Sequence, residues 1–147
     1  MIQFLHENVK APNLRKRDVT QWIKKTAEQY GKKTGEIAFI FCNDDKILEI
    51  NRQYLQHDYY TDIITFDYSQ NNIISGDIFI SLDTVKTNAE KFGVDFNQEL
   101  HRIIIHGILH LCGQDDKTPE SRKAMTAKEN EALNDLAEDG KRKAKNE

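Results

Sequence analysis

Apolar residues follow two patterns along the chain, and each pattern predicts a different kind of element. Runs of apolar, aromatic and β-branched residues favour β-strands. Such runs predict four strands, at 2–5, 36–42, 61–66 and 76–81. The second run is so continuously apolar that it predicts a strand buried on both faces. A short polar turn separates the third and fourth strands, which predicts a hairpin.

Apolar residues three or four positions apart predict five helices. The first covers about 13–30, so that it and its flanking strands form a right-handed crossover with parallel strands. A short helix follows Asn43 or Asp44, either of which could cap it. Asp83 and Asp95 are the expected caps of the next two helices. The last three helices are predicted at about 83–92, 95–113 and 118–136.

Strands mixed with helices, followed by helices alone, predict an α+β fold with one small, mixed, four-stranded sheet. The chain has 147 residues, which suits a single domain with a hydrophobic core. We expect this domain to occupy residues 1–139. The basic segment 140–147 is expected to form a disordered tail.

Composition narrows the class of protein. Charged residues make up 31% of the chain and no apolar stretch is long enough to cross a membrane, so we expect a soluble protein. The N-terminus does not resemble a signal peptide and the chain has only two cysteines, so we expect a cytoplasmic location. Because the net charge is −3, a nucleic-acid partner would need a local basic surface.

The clearest candidate chemistry lies in the stretch His-Gly-Ile-Leu-His-Leu-Cys-Gly-Gln-Asp-Asp, which begins at His106. His106 and His110 are four residues apart and share one face of the predicted helix, where both imidazoles can bind one metal ion. Gly113 can end the helix and turn the chain back, which could bring Asp115 or Asp116 towards the histidines. Two histidines and a carboxylate leave a coordination position open, as in catalytic zinc sites.

Histidine pairs at this spacing also occur by chance, and buried histidines usually form only hydrogen bonds. Here the flanking residues are strongly apolar, so two unpaired imidazoles among them would be costly. A glycine and an acidic pair follow at once. We therefore predict a metal site, whereas His101, which lies off this helix face, has no predicted role.

The spacing of the histidines and the third ligand resembles that of the metzincin zinc proteases. Those enzymes carry a glutamate directly after the first histidine as general base. This chain has Gly107 at that position. The sequence therefore indicates a hydrolytic metal site but argues against that class of protease.

The same stretch, together with three upstream segments, resembles the YbeY family of bacterial endoribonucleases. The family signature is His-Gly-x-Leu-His-Leu-x-Gly-Tyr-Asp-His. The chain matches it at His106, Gly107, Leu109, His110, Leu111, Gly113 and Asp115. The upstream family segments have counterparts at 50–55, 61–66 and 76–78.

The resemblance implies an α+β fold and a zinc-dependent endoribonuclease specific for single-stranded RNA. In the family, this activity serves maturation of the 3′ end of 16S rRNA and ribosome quality control. The implied metal ligands are His106, His110 and Asp116. The implied partners are rRNA and the small ribosomal subunit, with no membrane and no organic cofactor.

The chain departs from the family pattern at the third ligand, where Asp116 replaces a histidine. A carboxylate is an acceptable zinc ligand, so the site can persist. The site would be more anionic, and its bound water would be a weaker acid. A harder site also tolerates manganese or magnesium better, so the identity of the native metal stays open.

A second departure is Leu55, at the position of a family arginine that handles phosphate near the active site. Arg52 lies three residues earlier and can share its helix face. Either Arg52 or His57 could take over the contact. Asp62 is a further candidate catalytic residue, although hydrogen bonding at the end of a strand explains it equally well. The sequence does not identify a general base.

Two functions are compatible with these observations. The first is a metal-dependent ribonuclease, in which the metal activates a water and polarises a phosphoryl oxygen. The second is a ribosome-assembly binding factor with a structural metal and vestigial nuclease activity. The lost arginine and the changed third ligand favour this second function, but the specific signature leads us to predict the enzyme.

Overall fold

A mixed β-sheet is the framework of the computed structural model, which describes residues 1–55 and 61–145. Its strands are β1 (Ile2–His6), β2 (Lys33–Cys42), β3 (Ile63–Asp67) and β4 (Ile73–Ser81). Their order across the sheet is β1-β2-β4-β3. β2 is parallel to both β1 and β4, and β3 is antiparallel to β4. The predicted parallel pair and the predicted hairpin are both confirmed.

Five α-helices accompany the sheet in the described part of the chain. They are α1 (Lys16–Gln29), α2 (Asp44–Ile50), α3 (Leu82–Phe92), α4 (Phe96–Leu111) and α5 (Pro119–Lys145). A π-helical turn, Asn51–Leu55, continues α2. The predicted α+β class, with a small four-stranded mixed sheet and about five helices, is confirmed. No helix among these residues is both long and apolar enough to span a bilayer.

The helix caps differ in part from the prediction. Asn43, and not Asp44, caps α2, because its side-chain oxygen accepts a backbone N–H of the first turn at 2.9 Å. Ser81 caps α3 in place of Asp83, whose carboxylate instead accepts the backbone N–H of Asp44 at 3.0 Å. Asp95 occupies the cap position of α4, but its side chain forms no capping hydrogen bond.

The last helix is longer than predicted, since it runs to Lys145 and not to about 136. Most of the segment expected to be a disordered tail is therefore helical. Arg142 and Asp139 form an ion pair of 2.8 Å at helical spacing, and Lys141 and Glu138 form another of 3.8 Å. Such pairs support an exposed helix by about 0.2–0.5 kcal/mol each.

Helix α4 packs between the sheet and the other long helices. Its apolar side chains join the main core with residues of α1, β2 and β4, including Trp22, Ile23, Phe39, Ile78, Leu100, Ile104, Ile105 and Ile108. A second cluster contains Cys42, Ile47, Ile50 and Ile64. Alternate residues of β3 serve the two clusters, because successive side chains of a strand point to opposite faces.

Candidate active site

A cavity of about 450 Å³ lies among β3, α4 and α5. Its polar lining brings together residues from distant parts of the sequence. These are Thr61, Asp62, Thr65, Glu99, Arg102, His106, His110, Asp116 and Glu129. The predicted site residues His106, His110, Asp116 and Asp62 therefore share one cavity.

The end of α4 explains how Asp116 reaches the histidines. Gly113 takes a positive φ of 101°, which favours glycine. Its backbone N–H donates to the carbonyl of His110, and that of Gln114 donates to Leu109, both at 3.0 Å. These bonds end the helix as predicted and turn the chain back along it.

The structure distinguishes between the two acidic residues that follow. Asp116 Oδ2 lies 3.4 Å from His106 Nε2. Asp115 is not among the described residues that line the cavity. Its Oδ1 accepts the backbone N–H groups of Asp116 and Lys117 at 2.8 and 3.0 Å, so Asp115 stabilises the turn.

The side chains of His106, His110 and Asp116 meet part of what a metal ion requires. Two donor atoms of one tetrahedral zinc ion, each about 2.1 Å from it, lie roughly 3.4 Å apart. His106 Nε2 and Asp116 Oδ2 are separated by this distance. His110 lines the same cavity. However, no group of three His, Cys, Asp or Glu side chains within residues 1–55 and 61–145 is already arranged to hold a metal ion.

Glu129 on α5 is the residue that sequence reasoning missed. Its Oε2 lies 2.7 Å from His106 Nδ1, and its Oε1 accepts a hydrogen bond from Arg102 Nη1 at 2.9 Å. Glu129 is 7% exposed and lies between Met125 and Ala132 on the buried side of α5. A glutamate on the buried face of a helix is rarely without a partner, and this was the signal available in the sequence.

Burial changes the pKa of two carboxyl groups in the cavity. Burial raises the pKa of Asp62, and the positive field of His106 only partly offsets this effect. Burial likewise raises the pKa of Glu99, against a lowering effect of Arg102. Both groups are therefore more easily protonated than ordinary carboxylates.

For the imidazole of His106, neighbouring carboxylates together affect the pKa more than burial does. Burial lowers the pKa of its imidazole. The hydrogen bond with Glu129 and the negative charges of the nearby carboxylates outweigh burial, so the pKa is raised above its usual value. Four carboxyl groups face two histidines and one arginine here, so the cavity attracts cations.

The other candidate residues lie elsewhere. Arg52 is exposed in the π-helical turn and is not among the described residues that line the cavity. His57 lies outside the described residues. Cys112 does not line the cavity either. Burial raises the pKa of Cys112 to about 11, so it remains a thiol at neutral pH.

The fold and the cavity define a small α+β protein whose candidate active site combines histidine and carboxylate side chains. The sequence profile of Endoribonuclease YbeY matches residues 2–137. The chain belongs to this endoribonuclease family, so the predicted resemblance is confirmed.

Individual relatives agree with this assignment. The Endoribonuclease YbeY of Parabacteroides distasonis is 63% identical over 138 residues, which cover 94% of this chain and 97% of that protein. The Endoribonuclease YbeY of Phocaeicola vulgatus is 64% identical over 133 residues, covering 90% of this chain and 96% of that protein. These relatives favour the enzyme over the predicted alternative of an assembly factor with vestigial activity.

A solved structure has the same fold. The solution structure of a Thermotoga maritima protein matches with a TM-score of 0.66 and 24% identity, over 100% of this chain and 96% of that chain. At this identity the likeness supports the fold alone.

Proposed function

We propose that the protein is a metal-dependent endoribonuclease that cleaves single-stranded RNA in the cytoplasm. Its proposed task is maturation of the 3′ end of 16S rRNA and ribosome quality control, with the small ribosomal subunit as partner. One observation carries this proposal. This chain belongs to an endoribonuclease family, and its His106 and Asp116 lie 3.4 Å apart in a cavity rich in carboxylates.

The proposed metal ligands are His106, His110 and Asp116, and the proposed metal is zinc. Two imidazoles and a carboxylate suit zinc, and the carboxylate also makes manganese or magnesium acceptable. A bound divalent ion would supply positive charge, polarise a phosphoryl oxygen and activate a water.

The charges of the side chains in the cavity indicate that binding of RNA needs an added cation. Asp62, Glu99 and Glu129 would repel a phosphodiester, and Arg102 is already paired with Glu129. Without added positive charge, the cavity therefore disfavours RNA. The volume of about 450 Å³ is large enough for one nucleotide of a splayed strand, which supports specificity for single strands.

Asp62 is the proposed proton acceptor. It lines the cavity just before β3, where Thr61 Oγ1 donates to its Oδ1 at 3.5 Å. Because burial raises the pKa of its carboxyl, Asp62 is better matched to proton transfer near neutral pH than an exposed aspartate. Arg52 and His57 are the proposed phosphate contacts that replace the family arginine.

The test begins with protein purified without chelators or an affinity tag. Elemental analysis should find one divalent metal ion per chain, and much less in His110→Ala and Asp116→Ala. The matched control is His6→Ala, which removes an exposed histidine and should keep full occupancy.

The activity test uses matched single-stranded and duplex RNA with zinc, manganese or magnesium supplied. We expect cleavage of the single strand only, and its loss after chelation. Full metal occupancy in His110→Ala would contradict the ligand assignment. Failure of wild type to cleave RNA with any of the three metals would contradict the proposed enzyme.

A further inference from the structure

Side chains of α4 and α5 form polar contacts with one another beside the candidate metal site. Arg102 and His106 are four residues apart and therefore lie one turn apart on α4. Glu129 and Asn130 are neighbours on α5. Arg102 donates to Glu129 Oε1 at 2.9 Å and to Asn130 Oδ1 at 2.7 Å. His106 Nδ1 completes the set at 2.7 Å from Glu129 Oε2.

Both oxygens of the Glu129 carboxylate are thus engaged, one by Arg102 and one by His106. The Glu129 side chain is only 9% exposed, so water competes little for these bonds. Arg102 also donates to Asn130, so the guanidinium that anchors the carboxylate is itself held in place. The contacts to the charged carboxylate belong to the strong class of hydrogen bonds.

The arrangement has a consequence for the imidazole. A carboxylate accepts hydrogen bonds and does not donate them, so a neutral His106 must keep its single proton on Nδ1. The lone pair of Nε2 is then available on the cavity side, where Asp116 Oδ2 lies 3.4 Å away. Metal-binding histidines are commonly oriented by such a partner.

We propose that Glu129, held by Arg102, is a positioning residue that fixes the His106 ring and its Nδ1–H tautomer, so that Nε2 serves as the metal ligand. The inference rests on the proposed function, because it concerns one of the proposed ligands. It assigns a role to a residue 23 positions away on another helix.

His110 provides an internal reference. Its ring forms no side-chain hydrogen bond with any residue of the described ranges 1–55 and 61–145. Loss of Glu129 should therefore change the tautomer of His106 and leave that of His110 unaffected.

The first measurement is the ¹⁵N NMR spectrum of the histidine side chains in metal-free protein, at a pH where the His106 ring is neutral. Wild type should show the proton on Nδ1 of His106. Glu129→Leu should move it to Nε2, whereas the exposed matched control Glu131→Gln should not. An Nε2–H tautomer in wild type would overturn the proposal.

The second measurement is zinc affinity by calorimetry. Glu129→Leu should bind zinc about 10- to 100-fold more weakly, as is usual for loss of such a partner. Glu129→Gln keeps a carbonyl acceptor and should recover part of the loss. Excess zinc should restore RNA cleavage by both variants, which a folding defect would not allow.

Arg102→Lys tests whether the contact between Arg102 and Glu129 matters, and it does so even if Glu129→Leu fails to fold. It should weaken zinc binding while Glu131→Gln does not. Folded Glu129 variants with wild-type tautomer and zinc affinity would overturn the proposal. If wild type neither binds zinc nor cleaves RNA, the proposed function fails, and the tautomer measurement still decides whether Glu129 positions His106.

Discussion

A β-carbon built on Gly107 would lie 3.1 Å from Cδ1 of Ile78, so α4 approaches strand β4 closely at this glycine. Cδ1 of Ile63 lies at the same distance from that position. Ile78 is fully buried and has little room to move. The position at which metzincins carry their glutamate therefore faces packed side chains of the sheet in this protein.

Substitution of Gly107 should therefore destabilise the protein despite the better helix propensity of other residues. The propensity gain for alanine is about 1 kcal/mol, while forcing a methyl group into a packed core costs about 1–3 kcal/mol. We expect Gly107→Ala to lower the free energy of unfolding in urea. In the matched control Gly140→Ala, the added Cβ has no atom within 4 Å apart from its chain neighbours and the backbone of its own helix, so this variant should be neutral or slightly stabilising.

Gly107→Glu should cost more, since it would also bury a charge beside Ile63 and Ile78. We expect a loss of roughly 3 kcal/mol or more, and no peptidase activity. Wild-type stability of this variant would show that α4 does not pack on the sheet as described.

Replacement of Asp116 by histidine should restore the ligand set of the family. Asp116 Oδ2 lies 3.4 Å from His106 Nε2, so the side chain at this position faces the proposed metal site. We expect Asp116→His to keep or tighten zinc binding by calorimetry and to lower the preference for manganese and magnesium, since imidazole is the softer ligand.

The control for this experiment is Asp115→His. It removes the acceptor of two backbone N–H groups and should destabilise the turn without supplying a ligand. Loss of zinc by a folded Asp116→His variant would count against Asp116 as the third ligand.

The buried carboxyl of Glu99 should make stability depend on pH. Burial raises its pKa in the folded protein, so its stabilising contribution is complete below the unfolded pKa and is lost as pH rises through the folded pKa. Glu99→Gln removes the group that causes this loss. The difference in unfolding free energy, metal-free variant minus metal-free wild type, should therefore increase from pH 4 to pH 8.

Urea unfolding at a series of pH values measures this difference directly. The exposed Glu131→Gln serves as the control. A constant difference for Glu99→Gln would mean that the Glu99 carboxyl has an ordinary pKa.

Carboxylates outnumber cationic side chains in the cavity, so RNA binding requires further positive charge. If Arg52 contacts a phosphate, Arg52→Ala should weaken binding of single-stranded RNA and make its salt dependence shallower by a slope of about 0.7. Leu55→Arg, which restores the family residue, should have the opposite effect. Lys86→Ala, which removes one exposed charge from α3, is the matched control.

Fluorescence anisotropy across a range of salt concentrations provides the binding measurement, and single-turnover cleavage provides the rate. If Arg52→Ala matches Lys86→Ala in both while Leu55→Arg improves both strongly, Arg52 is not the substitute for the arginine. His57→Ala is then the next variant to compare.

The sequence by itself determined the features that depend on near neighbours. Apolar periodicity predicted the four strands, the five helices and the α+β class, because side-chain direction repeats regularly within each element. The four-residue spacing placed His106 and His110 on one helical face. Gly113 was identified as the end of that helix, because few other residues tolerate its positive φ.

Only the tertiary structure decided which distant groups meet. The residues by themselves left Asp115 and Asp116 open, and the family resemblance implied Asp116. That Asp116 lies beside His106 depends on the direction of the turn. Ser81, and not Asp83, caps α3, because the Asp83 carboxylate accepts the backbone N–H of Asp44. The partnership of His106 with Glu129 depends on how α5 lies against α4. Periodicity shows which face of a helix is buried, but the residue that it meets depends on the packing of elements far apart in sequence.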